Sequence, residues 1–214
     1  MRTNPFLDTW QFLIGATEDH ARIGAFGYLF VALFLVLVVA SLWIARVNWR
    51  DDPAQRTGVH VTTGACRFLI GCMWFQGCLW KLPFPVSGPF QYWTGELAEH
   101  AAFAFHRALA ANVFVPYVSV IQPIVFLAEL SFGISLMLGF GVRLFALLAT
   151  GFVLQLWLGL YRHPNEWPWT YVFLILILVL FIAYAAGRSL GADALLRRRA
   201  AKDSLIDRFV ALAG

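Results

Sequence analysis

The sequence predicts an all-α protein that crosses a membrane several times. Of its 214 residues, 60% are hydrophobic and 13% carry a charged side chain, and the mean hydropathy is +0.71. Five apolar segments each approach the roughly 17–25 residues that a spanning helix needs. The predicted fold class is therefore a polytopic helical membrane protein with five transmembrane helices and an amphipathic helix at the outer interface.

The five segments follow one another along the chain. The first, residues 24–45, is an uninterrupted apolar run that exceeds the apolar region of a cleavable signal peptide. The others are residues 64–80, 116–139, 144–161 and 168–187. An odd number of spans predicts that the two termini lie on opposite sides of the membrane.

The basic residues predict the orientation, because Lys and Arg are retained on the cytoplasmic side. With the C-terminus inside, eleven of the 16 Lys and Arg residues are cytoplasmic. They are Arg46, Arg50, Arg56, Arg67, Arg143, Arg188, Arg197, Arg198, Arg199, Lys202 and Arg208. We therefore predict an N-terminus outside and a C-terminus inside. Because these bases adjoin apolar segments, they indicate contact with anionic lipid and not nucleic acid binding.

Three further segments are amphipathic. Residues 5–16 place apolar side chains at helical spacing, which predicts a short helix on the outer surface. Thr94 is the predicted N-cap of a helix that runs to about Asn112 along the outer interface. From Asp193 onward the tail has the pattern of a basic amphipathic helix, for which packing on the lipid surface is the simplest role.

Glu129 is the most informative residue of the chain. It is the only formally charged side chain between Tyr117 and Val142, and an acidic side chain at that depth costs roughly 2.5–3.5 kcal/mol. Counted by helical rise, Glu129 lies about 15 Å from the inner surface, and Gln76 and Gln155 lie about 18 Å from it. These depths predict one polar layer that binds a quinone carbonyl. The alternative is interhelical hydrogen bonding that only fastens the bundle.

Further residues complete the predicted site. Gly133 is one turn from Glu129 and is expected to leave space for a ligand, and Trp74 is another candidate for cofactor binding. Arg67 is a candidate cation for Glu129, although it lies only about 5 Å from the inner surface and would ordinarily extend toward that surface.

A separate group of polar residues is predicted at the outer mouth. Lys81, Arg162, His163 and Glu166 fall at the external ends of the spans. The cations among them could attract an anionic electron donor or a partner, and the alternative is that they are solvated rim charges. Glu129, Arg67 and Lys81 are the predicted catalytic residues.

Quinone is the only cofactor that the sequence indicates. None of the histidines falls within a predicted span, so haem ligation is not expected. They are His20, His60, His100, His106 and His163. A metal site from His100 and His106 is not expected either, because their i,i+6 spacing puts them on different helix faces. No flavin motif is present.

Several short motifs occur in a fixed order from the second span onward. They are Arg67-Phe-Leu-Ile-Gly71 followed by Gly77 and Lys81, Glu129 with Gly133, Leu138-Gly139 and Arg143, Asn165-Glu-Trp-Pro-Trp-Thr-Tyr171, and Gly187-Arg-Ser-Leu-Gly-Ala-Asp193. In their order and spacing the chain resembles the DoxX/DoxD family of bacterial and archaeal membrane proteins. That family includes the membrane subunit of thiosulfate:quinone oxidoreductase.

The resemblance implies a division of the chain. Residues 64–190 correspond to the four-helix core of the family. Residues 1–63 add an N-terminal interfacial segment, the first span and a cytoplasmic loop, and residues 191–214 form the basic tail. A multi-pass protein of the bacterial or archaeal cytoplasmic (inner) membrane is implied.

The resemblance also implies a function. Electrons would pass from a small donor, such as a sulfur compound, or from a partner redox subunit to membrane quinone. One alternative is a non-catalytic anchor or assembly subunit of a larger complex. A less favoured alternative is a small-solute transporter that uses Glu129 as a proton relay. Expected partners are membrane lipid and either a redox subunit or further copies of the chain.

Overall fold

A computed structural model describes residues 4–17, 23–82, 86–200 and 205–214, and these ranges are helical without any strand. In chain order the helices are α1 Pro5–Leu13, α2 Phe26–Asp51, α3 Gly58–Cys78, α4 Gly88–His100, α5 Ala104–Leu109, α6 Val118–Leu138, α7 Val142–Gly159, α8 Pro168–Ala183, α9 Ala192–Arg199 and α10 Leu205–Ala213. The predicted all-α class is confirmed for this part of the chain.

Three of these helices are long and apolar enough to cross a membrane, namely α2, α6 and α7. Helix α8 is strongly apolar but has 16 residues. Helix α3 has 21 residues, and its composition is less apolar because it includes His60 and Arg67. The apolar helices indicate a membrane protein.

Helix α6 occupies the centre of the bundle and packs closely against α3. A Cβ atom on Gly71 of α3 would lie 2.6 Å from the amide nitrogen of Met137, and one on Gly133 of α6 would lie 2.8 Å from that of Phe75. Only glycine permits the two backbones to approach this closely. The two contacts also show that α3 and α6 are antiparallel.

The other long helices surround α6. Helix α2 runs parallel to α6: the rings of Phe30 and Phe126 have centroids 5.9 Å apart, and the Ser41 hydroxyl donates to the Met137 carbonyl at 2.9 Å. Helix α7 turns back antiparallel to α6, and α8 runs antiparallel to α7. The bundle therefore has two ends. We call them the Lys81 end, where α3 finishes, and the Asp193 end, where α7 begins.

Asp193 fixes the start of α7. Gly139 and Gly141 have φ of 70° and 59° in the tight turn between α6 and α7, a backbone conformation that glycine adopts without strain. The Asp193 carboxylate accepts hydrogen bonds from the amides of Gly141 at 2.7 Å and Val142 at 3.2 Å. Burial raises the pKa of the Asp193 carboxyl above its ordinary value. Asp193 thus provides the helix cap that the local sequence lacks.

Helices α4 and α5 cover the Lys81 end, and the predicted helix from Thr94 to Asn112 is incorrect in its boundaries. The N-cap of α4 is Ser87, seven residues before Thr94, and the Ser87 hydroxyl accepts from the Phe90 amide at 3.3 Å. The Thr94 hydroxyl instead donates to the Phe90 carbonyl within the helix, at 2.7 Å. Proline is favoured in the first turn of a helix, and Pro89 occupies that position in α4.

Candidate functional site

A buried ion pair joins α6 to the end of α3. The Lys81 ammonium lies 2.5 Å from a carboxylate oxygen of Glu129, and the two side chains are 6% and 8% exposed. Lys81 lies in a single helical turn, Leu79–Lys81, that follows α3. The antiparallel contacts between α3 and α6 place Leu79 beside Glu129, so Lys81 needs to reach back by less than one turn.

The backbone around Lys81 is held in place by a buried amide. Gln122, which is fully buried, donates from its side chain to the Lys81 carbonyl. The side-chain oxygen of Gln122 accepts from the Ser87 amide at 2.9 Å. Both hydrogen-bonding groups of Gln122 are therefore used to attach the start of α4 to the Lys81 turn. The Lys81 ammonium also lies 4.3 Å from the ring centre of Trp80.

The ion pair forms part of the wall of a cavity of about 390 Å³ between α4, α6, α7 and α8. Most of the wall is apolar or aromatic. The lining residues are Trp80, Lys81, Phe90, Trp93, Thr94, Leu97, Phe114, Ile121, Ile124, Val125, Glu129, Phe152, Gln155, Leu156, Leu160, Glu166 and Tyr171. A mostly apolar cavity of this size with a few polar groups is typical of a small-molecule site.

The cavity has a second polar group besides the ion pair. The Tyr171 hydroxyl donates to the Glu166 carboxylate at 2.8 Å. Gln155 also lines the cavity, and its amide nitrogen is 3.5 Å from Nε2 of His106. Burial lowers the pKa of His106, which favours a neutral imidazole. The Gln155 amide and the Tyr171 hydroxyl therefore add uncharged polar groups to the cavity wall.

The predicted polar layer is only partly assembled. Gln155 shares the cavity with Glu129, whereas Gln76 donates to the Leu13 carbonyl of α1 at 2.8 Å. Gln76 also borders a different cavity of about 590 Å³, next to residues Gly15 and Tyr28. The depth count predicted the level of these amides but not the direction in which each side chain points.

Arg67 lies away from Glu129, at the C-terminal end of α6. Its guanidinium donates to the carbonyls of Leu136, of Met137 at 3.2 Å and of Ser189 at 3.4 Å. Along α6, Met137 is eight residues from Glu129, which corresponds to about 12 Å. Direct pairing of Arg67 with Glu129 does not occur. Nor does Arg67 extend to the surface, since it is 3% exposed and satisfies helix-terminal carbonyls.

Gly133 and Trp74 are also outside the cavity. The space expected beside Gly133 is filled by Phe75, whose backbone a Cβ atom would touch. Trp74 packs against Phe132 and Phe152 with ring centroids 5.3 and 6.0 Å away. Of these side chains only Phe152 reaches the cavity, so Trp74 supports the wall from behind.

The residues predicted at the outer mouth separate into three environments. Glu166 borders the cavity. Arg162 is exposed, and its guanidinium donates to the Ala102 carbonyl at 3.1 Å. His163 is 7% exposed and lies 3.2 Å from the Glu96 carboxylate. The sequence grouped them near one end of the bundle, but it did not reveal Glu96 as a neighbour of His163.

Comparison of the chain with protein-family models, with curated proteins and with solved structures finds no match.

Proposed function

We propose that this chain is the membrane subunit of a quinone-linked oxidoreductase, and that the quinone head group binds in the cavity beside Lys81 and Glu129. The buried ion pair in an apolar, aromatic cavity is the observation that carries this proposal. A quinone has a flat ring that packs well on aromatic walls and two carbonyl oxygens that accept hydrogen bonds. Lys81 is a charged donor suited to one of them.

Access from the membrane supports a lipid-soluble ligand. Ile124 lines the cavity and is 56% exposed on α6, which is long and apolar enough to cross a membrane. The cavity rim therefore reaches a surface of α6 that lipid would contact. An isoprenoid tail can remain in lipid while the head group occupies the cavity.

Lys81 and Glu129 are suited to the reduction of a bound quinone. Reduction of a quinone takes up two electrons and two protons and forms two O–H bonds. Lys81 stabilises the negative charge that develops on the carbonyl oxygen, and Glu129 passes each proton in turn from water at the cavity rim. The electrons come from a small sulfur anion or a partner redox subunit. Coupling of two sulfur anions through a new S–S bond releases the two electrons required.

The proposal includes the topology. We assign five spans, α2, α3, α6, α7 and α8, with the N-terminus and the Lys81 end outside and the C-terminus in the cytoplasm. Two features support this assignment: these helices alternate in direction, and most basic residues fall at the Asp193 end. The membrane would be the bacterial or archaeal cytoplasmic membrane, as the resemblance to the DoxX/DoxD family implies.

Quinone binding can be measured directly. Organic extraction and mass spectrometry of the gently purified protein should recover quinone. A short-chain quinone should quench the fluorescence of Trp80 and Trp93, which line the cavity. Lys81→Met should weaken this binding at least tenfold. Gln76→Leu removes a buried amide that faces away from the cavity, so it should leave binding unchanged.

Turnover tests the role of Glu129. With a sulfur anion as donor, Glu129→Gln should reduce quinone reduction at least a hundredfold while preserving quinone binding. Full activity of Glu129→Gln would refute the proton-transfer role, and absence of quinone binding by the wild type would refute the proposal as a whole. Stoichiometric co-purification with a soluble redox protein, without quinone binding, would indicate an anchor subunit instead.

A further inference from the structure

A cluster of metal-binding side chains lies at the Lys81 end, beside the cavity. In the described part of the chain, Glu96, His100 and His163 form the one group of three such residues whose donor atoms all lie within 4.8 Å of one another. Glu96 and His100 are one turn apart on α4, and His163 comes from the connection between α7 and α8. Their three donor atoms converge from two separate segments.

The spacing of the donor atoms fits a small divalent cation. One carboxylate oxygen of Glu96 lies 3.0 Å from Nε2 of His100 and 3.2 Å from Nε2 of His163. In a tetrahedral zinc site with metal–ligand bonds of about 2.0–2.2 Å, neighbouring ligand atoms lie roughly 3.3–3.5 Å apart. Two of the three ligand pairs are therefore already close to the required spacing.

The segments that carry the cluster are joined by backbone hydrogen bonds. The Arg162 amide donates to the His100 carbonyl at 3.0 Å, and the Ala102 amide donates to the Leu158 carbonyl at 2.8 Å. His163 is 7% exposed, and its ring packs beside Trp93 with ring centroids 5.5 Å apart. The site is thus held in position before a ligand binds, which lowers the cost of ordering it.

The hydrogen bonds of His163 indicate what a metal would replace. Its Nδ1 accepts from the Asn165 amide at 3.3 Å, so in a neutral ring the proton lies on Nε2 and is donated to Glu96. A cation bound between Nε2 and the carboxylate takes the place of this proton. The cost is the long hydrogen bond from Asn165, because Nδ1 then carries the proton.

We propose that Glu96, His100 and His163 form a binding site for a divalent transition metal of the zinc type. Two imidazoles and one carboxylate are suitable ligands for zinc, and they leave a fourth position open for water. The bound ion ties α4 to the α7–α8 connection above the cavity. This inference does not depend on the identity of the cavity ligand.

Cobalt(II) is a suitable probe because its visible spectrum reports on tetrahedral coordination. The full-length protein, purified without a histidine tag and stripped with a chelator, should bind one equivalent of cobalt(II), and zinc should displace it. Glu96→Gln and His163→Gln should each weaken binding at least tenfold. Glu99→Gln and His106→Gln change an acid and a histidine on neighbouring turns outside the cluster, so they should bind cobalt as the wild type does.

X-ray absorption at the zinc edge gives a measurement that does not require any variant. The expected spectrum contains two imidazole ligands together with oxygen ligands. A site without imidazole, a wild type that binds no cobalt, or equal binding by Glu96→Gln, His163→Gln and the two controls would each overturn the proposal. In those cases the three side chains form only a hydrogen-bonded group.

Discussion

Replacing Lys81 with methionine isolates the energy of the buried ion pair. Methionine keeps most of the length and apolar volume of the lysine chain but removes the ammonium that lies 2.5 Å from Glu129. Both side chains are more than nine-tenths buried, so water and salt cannot screen the carboxylate that remains. In the variant, Glu129 must therefore fold as the neutral acid.

The size of the effect follows from the cost of that protonation. An ordinary glutamate has a pKa of about 4.3, and each pH unit above it adds about 1.36 kcal/mol to the cost of holding the neutral acid. The expected loss of stability is about 3.7 kcal/mol at pH 7, within the range of about 3–5 kcal/mol typical of a broken buried pair. At pH 5 the same argument gives about 1 kcal/mol.

Unfolding by SDS in mixed micelles, followed by circular dichroism, measures these differences. Glu129→Leu in the Lys81→Met background should recover most of the loss, because no buried charge is left without a partner. The exposed Arg107 provides a matched control, and Arg107→Met should change stability by less than about 0.5 kcal/mol. A loss below about 1 kcal/mol at pH 7, or a loss that is equal at pH 5 and pH 7, would refute the reasoning.

Three further outcomes are expected in the same unfolding assay. Gly133→Ala should lower the free energy of unfolding by about 1–3 kcal/mol, because the new Cβ atom meets Phe75. Gly77→Ala, which has open space around it, should leave stability unchanged. Equal effects of the two variants would contradict the close approach of α3 and α6. Asp193→Ala should cost about 1–3 kcal/mol because two buried amides lose their acceptor, and an unchanged midpoint would contradict its capping role. Wild-type stability should fall as pH drops below about 6.5, because burial lowers the pKa of His106 and the unfolded chain takes up the proton first. His106→Gln should reduce this fall in stability. An identical pH profile in the variant would exclude His106 as its cause.

Apolar length was enough for the sequence to predict the most apolar helices. The first, third, fourth and fifth predicted spans agree with α2, α6, α7 and α8 to within a few residues at most ends, apart from the extension of α2 to Asp51. Boundaries were less accurate where proline is compatible with both a break and a helix start, as at Pro89. The capping of the N-terminus of α7 by the Asp193 carboxylate could not be predicted, because the two groups are about 50 positions apart in the chain.

The candidate site was predicted in part. The cost of a charge in an apolar run directed attention to Glu129, and in the structure Glu129 and Gln155 line the same cavity. The rotation of each helix about its axis is set by packing, so the sequence did not show that Gln76 points toward α1. It also did not show that Phe75 fills the space beside Gly133.

By itself the sequence determined that this protein is all-helical with a membrane-like composition, and it singled out Glu129 as a costly charge in an apolar run. These conclusions depend on composition and segment length, which can be read from each stretch of sequence without knowing its neighbours in space. Only the tertiary structure decided that the partner is Lys81 and that His163 joins Glu96 and His100. Each of those contacts depends on how helices from distant parts of the chain are aligned, and that alignment is fixed by side-chain packing across the whole bundle.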